Sequence, residues 1–188
     1  GGLAGYFAYD TVRYIEPRLA KTWKEGGIDT PDILLLQCEE LAVIDNLSGR
    51  LYLIVWADLA RAEAYFKARQ RLGELADKLR YSVTAPPVKR GPSHPVEREL
   101  AKADFEAAVR KTKDYIAAGD ALQVVPSQRF SAPFALPPFA LYRALRRINP
   151  SPFLYFLDMP GFALIGSSPE ILVRLRDGEV TIRPIAGT

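Results

Sequence analysis

Between residues 82 and 98 the chain carries Pro86, Pro87, Pro92 and Pro95 beside Lys89, Arg90 and His94. Proline fixes φ and has no N–H to donate, so neither a helix nor a central strand can run through prolines this dense. The chain must therefore assemble as one piece before the stretch and another after it. That divides the sequence into residues 1–85, a proline-rich connector over 86–100, and residues 101–188.

In the first piece, residues 33–38 are apolar, and two β-rich runs over 41–44 and 51–55 flank Asp45-Asn46-Leu47-Ser48-Gly49-Arg50, which reads as a hairpin. From 59 to 81 the period becomes helical, with Leu59, Ala62, Phe66, Leu72, Leu75 and Leu79 separated by charges. The second piece starts with a helix predicted over 103–118. Asp104 lies in its first turn, Phe105, Val109, Thr112 and Ile116 form its stripe, and Gly119 ends it. A strand is expected over 122–130, a short basic helix over 138–148, and a turn at Asn149-Pro150-Ser151-Pro152. Paired strands over 153–157 and 162–165 surround Met159-Pro160-Gly161, and runs over 171–175 and 180–185 flank Arg176-Asp177-Gly178-Glu179. Hairpins followed by helices point to an α+β fold, with antiparallel β-sheets layered against flanking helices.

Composition narrows the function. With 25 basic and 22 acidic residues the net charge is +3 and the signs are mixed, which disfavours a nucleic-acid binder. The cluster Arg143, Arg146 and Arg147 reads as a solvated helical face. The single cysteine, Cys38, fits a reducing cytosol, and one Cys with one His, the connector's His94, excludes the usual zinc ligand sets. Cys38, Tyr6, Phe7 and Tyr9 read as packing residues. No apolar run approaches the roughly 18 residues of a membrane span. The chain opens without an initiator Met or a basic signal region and stops just after a strand-like run over 180–185, so an internal piece of a longer protein is expected.

Five segments carry the chemistry. They are Gly5-Tyr6-Phe7-Ala8-Tyr9-Asp10-Thr11-Val12-Arg13-Tyr14-Ile15-Glu16, then Gly119-Asp120-Ala121-Leu122-Gln123-Val124-Val125-Pro126-Ser127-Gln128-Arg129-Phe130. Asn149-Pro150-Ser151-Pro152, Gly166-Ser167-Ser168-Pro169-Glu170 and Arg183-Pro184-Ile185-Ala186-Gly187-Thr188 follow. In this order and spacing the chain resembles the anthranilate synthase component I family of chorismate-utilising enzymes. The family's chains are longer, so the resemblance implies a central fragment of its α/β/β/α fold. Residues 1–85 would end the N-terminal region and 101–188 would begin the catalytic region. The family's catalytic histidine, most substrate-carboxylate contacts and its glutamate ligands for Mg²⁺ would lie beyond residue 188, leaving no metal ligand within this chain. The 188-residue piece alone is therefore expected to be inactive.

The resemblance assigns the general acid to Glu170. In the family's reaction a nucleophile adds at C2 of chorismate while the C4 hydroxyl leaves. Hydroxide leaves poorly, and an acid that protonates it lowers the barrier by about 10²–10⁴-fold. Carboxyls near apolar strand residues can keep their proton at neutral pH. Relatives that add water resemble this chain but carry a lysine where Gln123 stands; a glutamine cannot deprotonate water, whereas ammonia needs no such base.

At Ala186, many aminodeoxychorismate synthases resemble this segment but place a lysine that can act as a nucleophile, which alanine cannot replace. Gly187 and Thr188 match residues lying against substrate, one for close backbone approach and one for a hydroxyl bond. Asn149, Pro150, Ser151, Pro152, Phe153 and Leu154 align with one wall of the family's tryptophan feedback site. There the family usually has Tyr-Met in place of Phe153-Leu154, so ring and apolar contact remain and a tyrosine hydroxyl contact is lost.

The resemblance thus implies conversion of chorismate and ammonia to anthranilate and pyruvate in tryptophan biosynthesis, in the cytoplasm and with Mg²⁺. Ammonia would come from a glutamine amidotransferase subunit or domain, and tryptophan would be an inhibitor. Two other readings stand beside this one: aminodeoxychorismate synthase component I of the folate pathway, and a non-catalytic ligand- or partner-binding fragment.

Overall fold

A computed structural model describes residues 1–22, 27–83 and 94–185. The chain divides into two compact units, Gly1–Ala85 and Pro86–Thr188.

The first unit opens with β1 (Gly2–Phe7), a short 3-10 turn and helix α1 (Val12–Ile15), and continues through β2 (Ile33–Cys38), β3 (Glu40–Asp45), β4 (Arg50–Val55) and helix α2 (Ala64–Lys78). Strands β1 and β2 pair antiparallel from Gly2↔Cys38 to Phe7↔Ile33. Tyr6 donates its hydroxyl to the Pro31 carbonyl at 2.7 Å, and Tyr14 reaches an Asp32 carboxylate oxygen at 2.8 Å. That hydrogen bond raises the Tyr14 phenol above its ordinary pKa. The expected hairpin over 41–44 and 51–55 forms as β3–β4. Its loop is held by Asp45, whose Oδ1 accepts the N–H groups of Leu47 and Ser48 at 2.9 and 3.2 Å.

Helix α2 packs on β4. It begins at Ala64 rather than at residue 59, because Asp58 caps the Ala60 N–H and Glu63 takes a left-handed φ of 61° just before the first turn. Arg71 of α2 grips Glu40 of β3 through Nε and Nη2, the latter at 3.1 Å, while its Nη1 holds Glu74 at 2.8 Å. Phe7 and Tyr9 are exposed, unlike the packed aromatics the sequence suggests, since β1 has a single partner strand and Tyr9 sits in the 3-10 turn after it. Cys38 is half-buried.

The second unit contains β5 (Glu97–Arg98), α3 (Lys102–Ala118), β6 (Phe130–Ser131), α4 (Pro138–Ile148), β7 (Phe153–Met159), β8 (Phe162–Ser168), β9 (Arg174–Arg176) and β10 (Glu179–Thr181). Helix α3 stops where Gly119 adopts φ 83°, which closes the last turn without a Cβ clash. Phe105, Val109 and Thr112 are half-buried along its stripe. The strand expected over 122–130 is irregular except at its end. Pro126 removes a donor, and among the described residues only β5 pairs with it, at Arg98↔Phe130 and Glu97↔Ser131. Helix α4 packs on β7 and β8, and its Phe139 and Tyr142 rings meet Phe156 of β7 with centroids 5.2 and 6.1 Å apart. At the β7–β8 turn, Pro160 precedes Gly161 at φ 86°, the positive angle a type II turn needs at its third residue.

Among the described residues every sheet is two-stranded and antiparallel, and Met159 alone among hydrophobic residues is buried. The result is a mixed α+β architecture.

Candidate active site

The β7–β8 register places two motifs side by side. Phe153 pairs with Ser168 and Leu154 with Ser167, so Asn149-Pro150-Ser151-Pro152, leading into β7, lies against Ser167-Ser168-Pro169-Glu170, leaving β8. The ladder ends there, because Pro169 has no N–H to continue it.

Side-chain hydroxyls take over where the ladder stops. Ser167 Oγ donates to the Asn149 carbonyl at 2.8 Å, and Ser151 Oγ donates to the Ser168 carbonyl. Ser168 Oγ in turn donates to the Glu170 carbonyl at 3.1 Å and accepts the Glu170 N–H at 3.4 Å. Together these hydroxyl bonds, two across the strand pair and two within the turn, hold the chain around Pro169.

Glu170 is half-buried, and its Oε1 accepts the Ile185 N–H at 3.0 Å. The β9–β10 hairpin makes that contact possible. Asp177 and Gly178, both at positive φ, turn the chain so that Ile185 returns to Glu170. A carboxyl group that accepts through one oxygen keeps the other available to carry and donate a proton.

A cavity of about 120 Å³ is lined by Pro152, Phe153, Glu170, Arg174, Arg183 and Ile185, among others. Among the described residues neither guanidinium is ion-paired, so two cations stand on the wall that Glu170 shares. A larger cavity, about 760 Å³, lies in the first unit beside α2. Its Arg61 and Arg71 are already ion-paired to Asp58 and Glu40 and its Lys67 to Glu63, and Glu170 is not on its wall.

The structure brings together Glu170, Pro152 and Phe153 on one cavity, with Asn149 and Ser151 hydrogen-bonded to the strand behind it. Pro150 lies between those two, and half-buried Leu154 opposes Ser167. Gln123 is exposed in the irregular segment and does not line the Glu170 cavity. The far end of its motif is anchored, with Gln128 Nε2 on the Leu100 carbonyl at 3.3 Å and Arg129 on Glu99 at 2.8 Å. Ala186, Gly187 and Thr188 lie outside the described residues. Among the described residues no group of three or more His, Cys, Asp or Glu side chains could hold a metal ion.

Sequence reasoning missed Arg174 and the roles of Ser151 and Ser167. Arg183 carried a signal, as the first residue of a motif already singled out. Arg174 carried none, since only the hairpin fold brings it to the cavity.

Comparison with known proteins covers the whole chain. The family model described as chorismate binding enzyme matches residues 1–188. Anthranilate synthase component 1 of Neisseria meningitidis serogroup B is 50% identical over 192 residues, covering 100% of this chain and 39% of that protein. The protein of the same name from Pseudomonas aeruginosa is 47% identical over 193 residues, with the same shares covered. The crystal structure of anthranilate synthase component I from Streptococcus pneumoniae superposes with a TM-score of 0.83 at 33% identity, over 97% of this chain and 41% of that one. The chain thus spans about two fifths of the length of the relatives it matches.

Proposed function

The chain belongs to the chorismate-binding enzyme family, and from that premise we propose that it is part of an anthranilate synthase large subunit. In this reading residues 1–85 end the N-terminal region, residues 86–100 connect, and residues 101–188 begin the catalytic region. The whole enzyme converts chorismate and ammonia to anthranilate and pyruvate.

The observation that carries the proposal is the hydrogen-bonded series through Glu170. Ammonia adds at C2 of chorismate through its own lone pair, and the C4–O bond breaks as Glu170 hands its proton to the departing oxygen, which leaves as water. Loss of a ring proton and of the enolpyruvyl group as pyruvate then gives the aromatic product. Half-burial and the Ile185 N–H hold the carboxyl in one orientation, which is what proton delivery requires. Gln123 supplies no base to activate water, and Ala186 supplies no amine nucleophile, so direct attack by ammonia is the remaining course. Arg174 and Arg183 suit an anionic substrate and are proposed as part of its electrostatic surround.

Mg²⁺ is proposed for the whole enzyme. The described residues do not fit a metal centre. Ammonia is proposed to come from a glutamine amidotransferase partner or domain. Tryptophan is proposed to bind the wall formed by Asn149, Pro150, Ser151, Pro152, Phe153 and Leu154. Among the described residues no helix is long and apolar enough to cross a membrane, and the cytoplasm is the proposed compartment.

The test is product identity. The full-length protein, given chorismate, an ammonium salt and Mg²⁺, should release anthranilate, detected by its fluorescence and confirmed by mass spectrometry. Aminodeoxychorismate or isochorismate as the end product would overturn the proposal.

A further inference from the structure

Pro169 ends the backbone ladder one residue before Glu170, yet the Glu170 N–H and carbonyl are both hydrogen-bonded to the Ser168 hydroxyl. Two hydroxyl bridges run in opposite directions between the paired segments. Ser167 of β8 donates across to Asn149, and Ser151 donates back to the last carbonyl of β8, at Ser168. Each bridge spans 17 or 18 residues of sequence, so neither belongs to local turn chemistry. Ser168 passes the restraint on, because its own hydroxyl is bonded to both the N–H and the carbonyl of Glu170.

We propose that Ser151 and Ser167 are positioning residues for Glu170, a reciprocal hydroxyl clasp that replaces the ladder where proline interrupts it and fixes the direction in which the carboxyl faces the substrate. Neither serine lines the Glu170 cavity, so each acts through Ser168 and the turn. Without the clasp the Asn149 and Ser168 carbonyls lose these hydroxyl donors and the Pro169–Glu170 turn is free to pivot. A displacement of about 1 Å at a reacting group costs on the order of 10²-fold in rate.

The proposal rests on the reading of Glu170 as proton donor, and the test separates the two. Ser151→Ala, Ser167→Ala and their threonine counterparts are made in the full-length protein, each alone and in a Glu170→Gln background. With ammonium as donor, each alanine variant is expected to lower kcat by about 10- to 100-fold, with chorismate KM within about threefold of the parent. Threonine, which keeps the hydroxyl, should recover most of the loss, and serves also where an alanine variant does not fold. In the Glu170→Gln background the serine changes should add less than about threefold, because the proton they aim is gone.

If Glu170→Gln leaves kcat intact, the proton-donor reading fails, and this inference with it. If Glu170→Gln slows the reaction while the alanine variants are as fast as the parent, or their losses multiply fully with that of Glu170→Gln, the clasp is overturned and the proton-donor reading stands. A loss that threonine does not recover also overturns the clasp.

Discussion

Glu170 Oε1 accepts a hydrogen bond from the Ile185 N–H at 3.0 Å, across 15 residues of chain. One side chain thus touches the segment that leads into Ala186-Gly187-Thr188 and also faces the cavity. Glutamine at 170 keeps an acceptor oxygen for Ile185 and loses only the acidic proton, whereas alanine loses both. Glu170→Ala should therefore raise the chorismate KM several-fold above that of Glu170→Gln, with kcat at least as low. Steady-state kinetics on the full-length variants would show it, and equal KM values would mean that the Ile185 bond does not order the segment proposed to bind substrate.

Gln123→Lys places an amine at the position proposed to leave water without a base. An isochorismate-type product should then appear beside anthranilate at low ammonia concentration, read by chromatography of the reaction mixture. Anthranilate alone, at a reduced rate, would show that residue 123 does not choose the nucleophile.

Two glycines should respond to alanine with opposite signs. At Gly161, φ 86° strains any L side chain although nothing crowds it, so Gly161→Ala should destabilise by about 1–2 kcal/mol. Gly73 lies inside α2 with open space around it, and Gly73→Ala should stabilise by roughly 0.5–1 kcal/mol. Hydrogen exchange of the β7–β8 and α2 amides in the full-length protein reports each change locally.

Arg71 holds the carboxylates of Glu40 and Glu74 below their ordinary pKa of 4.5, chiefly by hydrogen bonding, and its own pKa is raised by the same bonds. A carboxylate with a depressed native pKa contributes stability above pH 4.5, lost as pH falls through the native value. Arg71→Met should lower α2 protection at pH 7 and flatten its decline as the pH falls below 4.5. The difference should shrink in high salt, since the groups are solvent-exposed. Protection equal to the parent's at pH 7 and on acidification would show that these ion pairs do not dock α2.

What the sequence made legible was local. Asp45-Asn46-Leu47-Ser48-Gly49, Pro160-Gly161 and Asp177-Gly178 each encode a turn within a few residues, and Gly119 encodes a helix stop, so the hairpins and α3 follow directly. The short helix over 138–148 appears as α4 with the same ends. The segment over 122–130 misleads because alternation describes a surface that needs a partner strand, and most of it has none among the described residues. The hairpin expected over 171–185 pairs only at Arg174–Arg176 and Glu179–Thr181 for the same reason. Glu170 could be singled out from its motif, but its bond to Ile185 and the serine clasp depend on strand register, which no short window contains.

The most direct measurement is the single-turnover rate of chorismate consumption by the full-length Glu170→Gln protein under saturating ammonium, alongside its equilibrium affinity for chorismate. If Glu170 delivers the proton to the departing C4 oxygen, the rate should fall by about 10²–10⁴-fold while the affinity stays within a few-fold of the parent. A rate equal to the parent's at unchanged affinity would contradict that role.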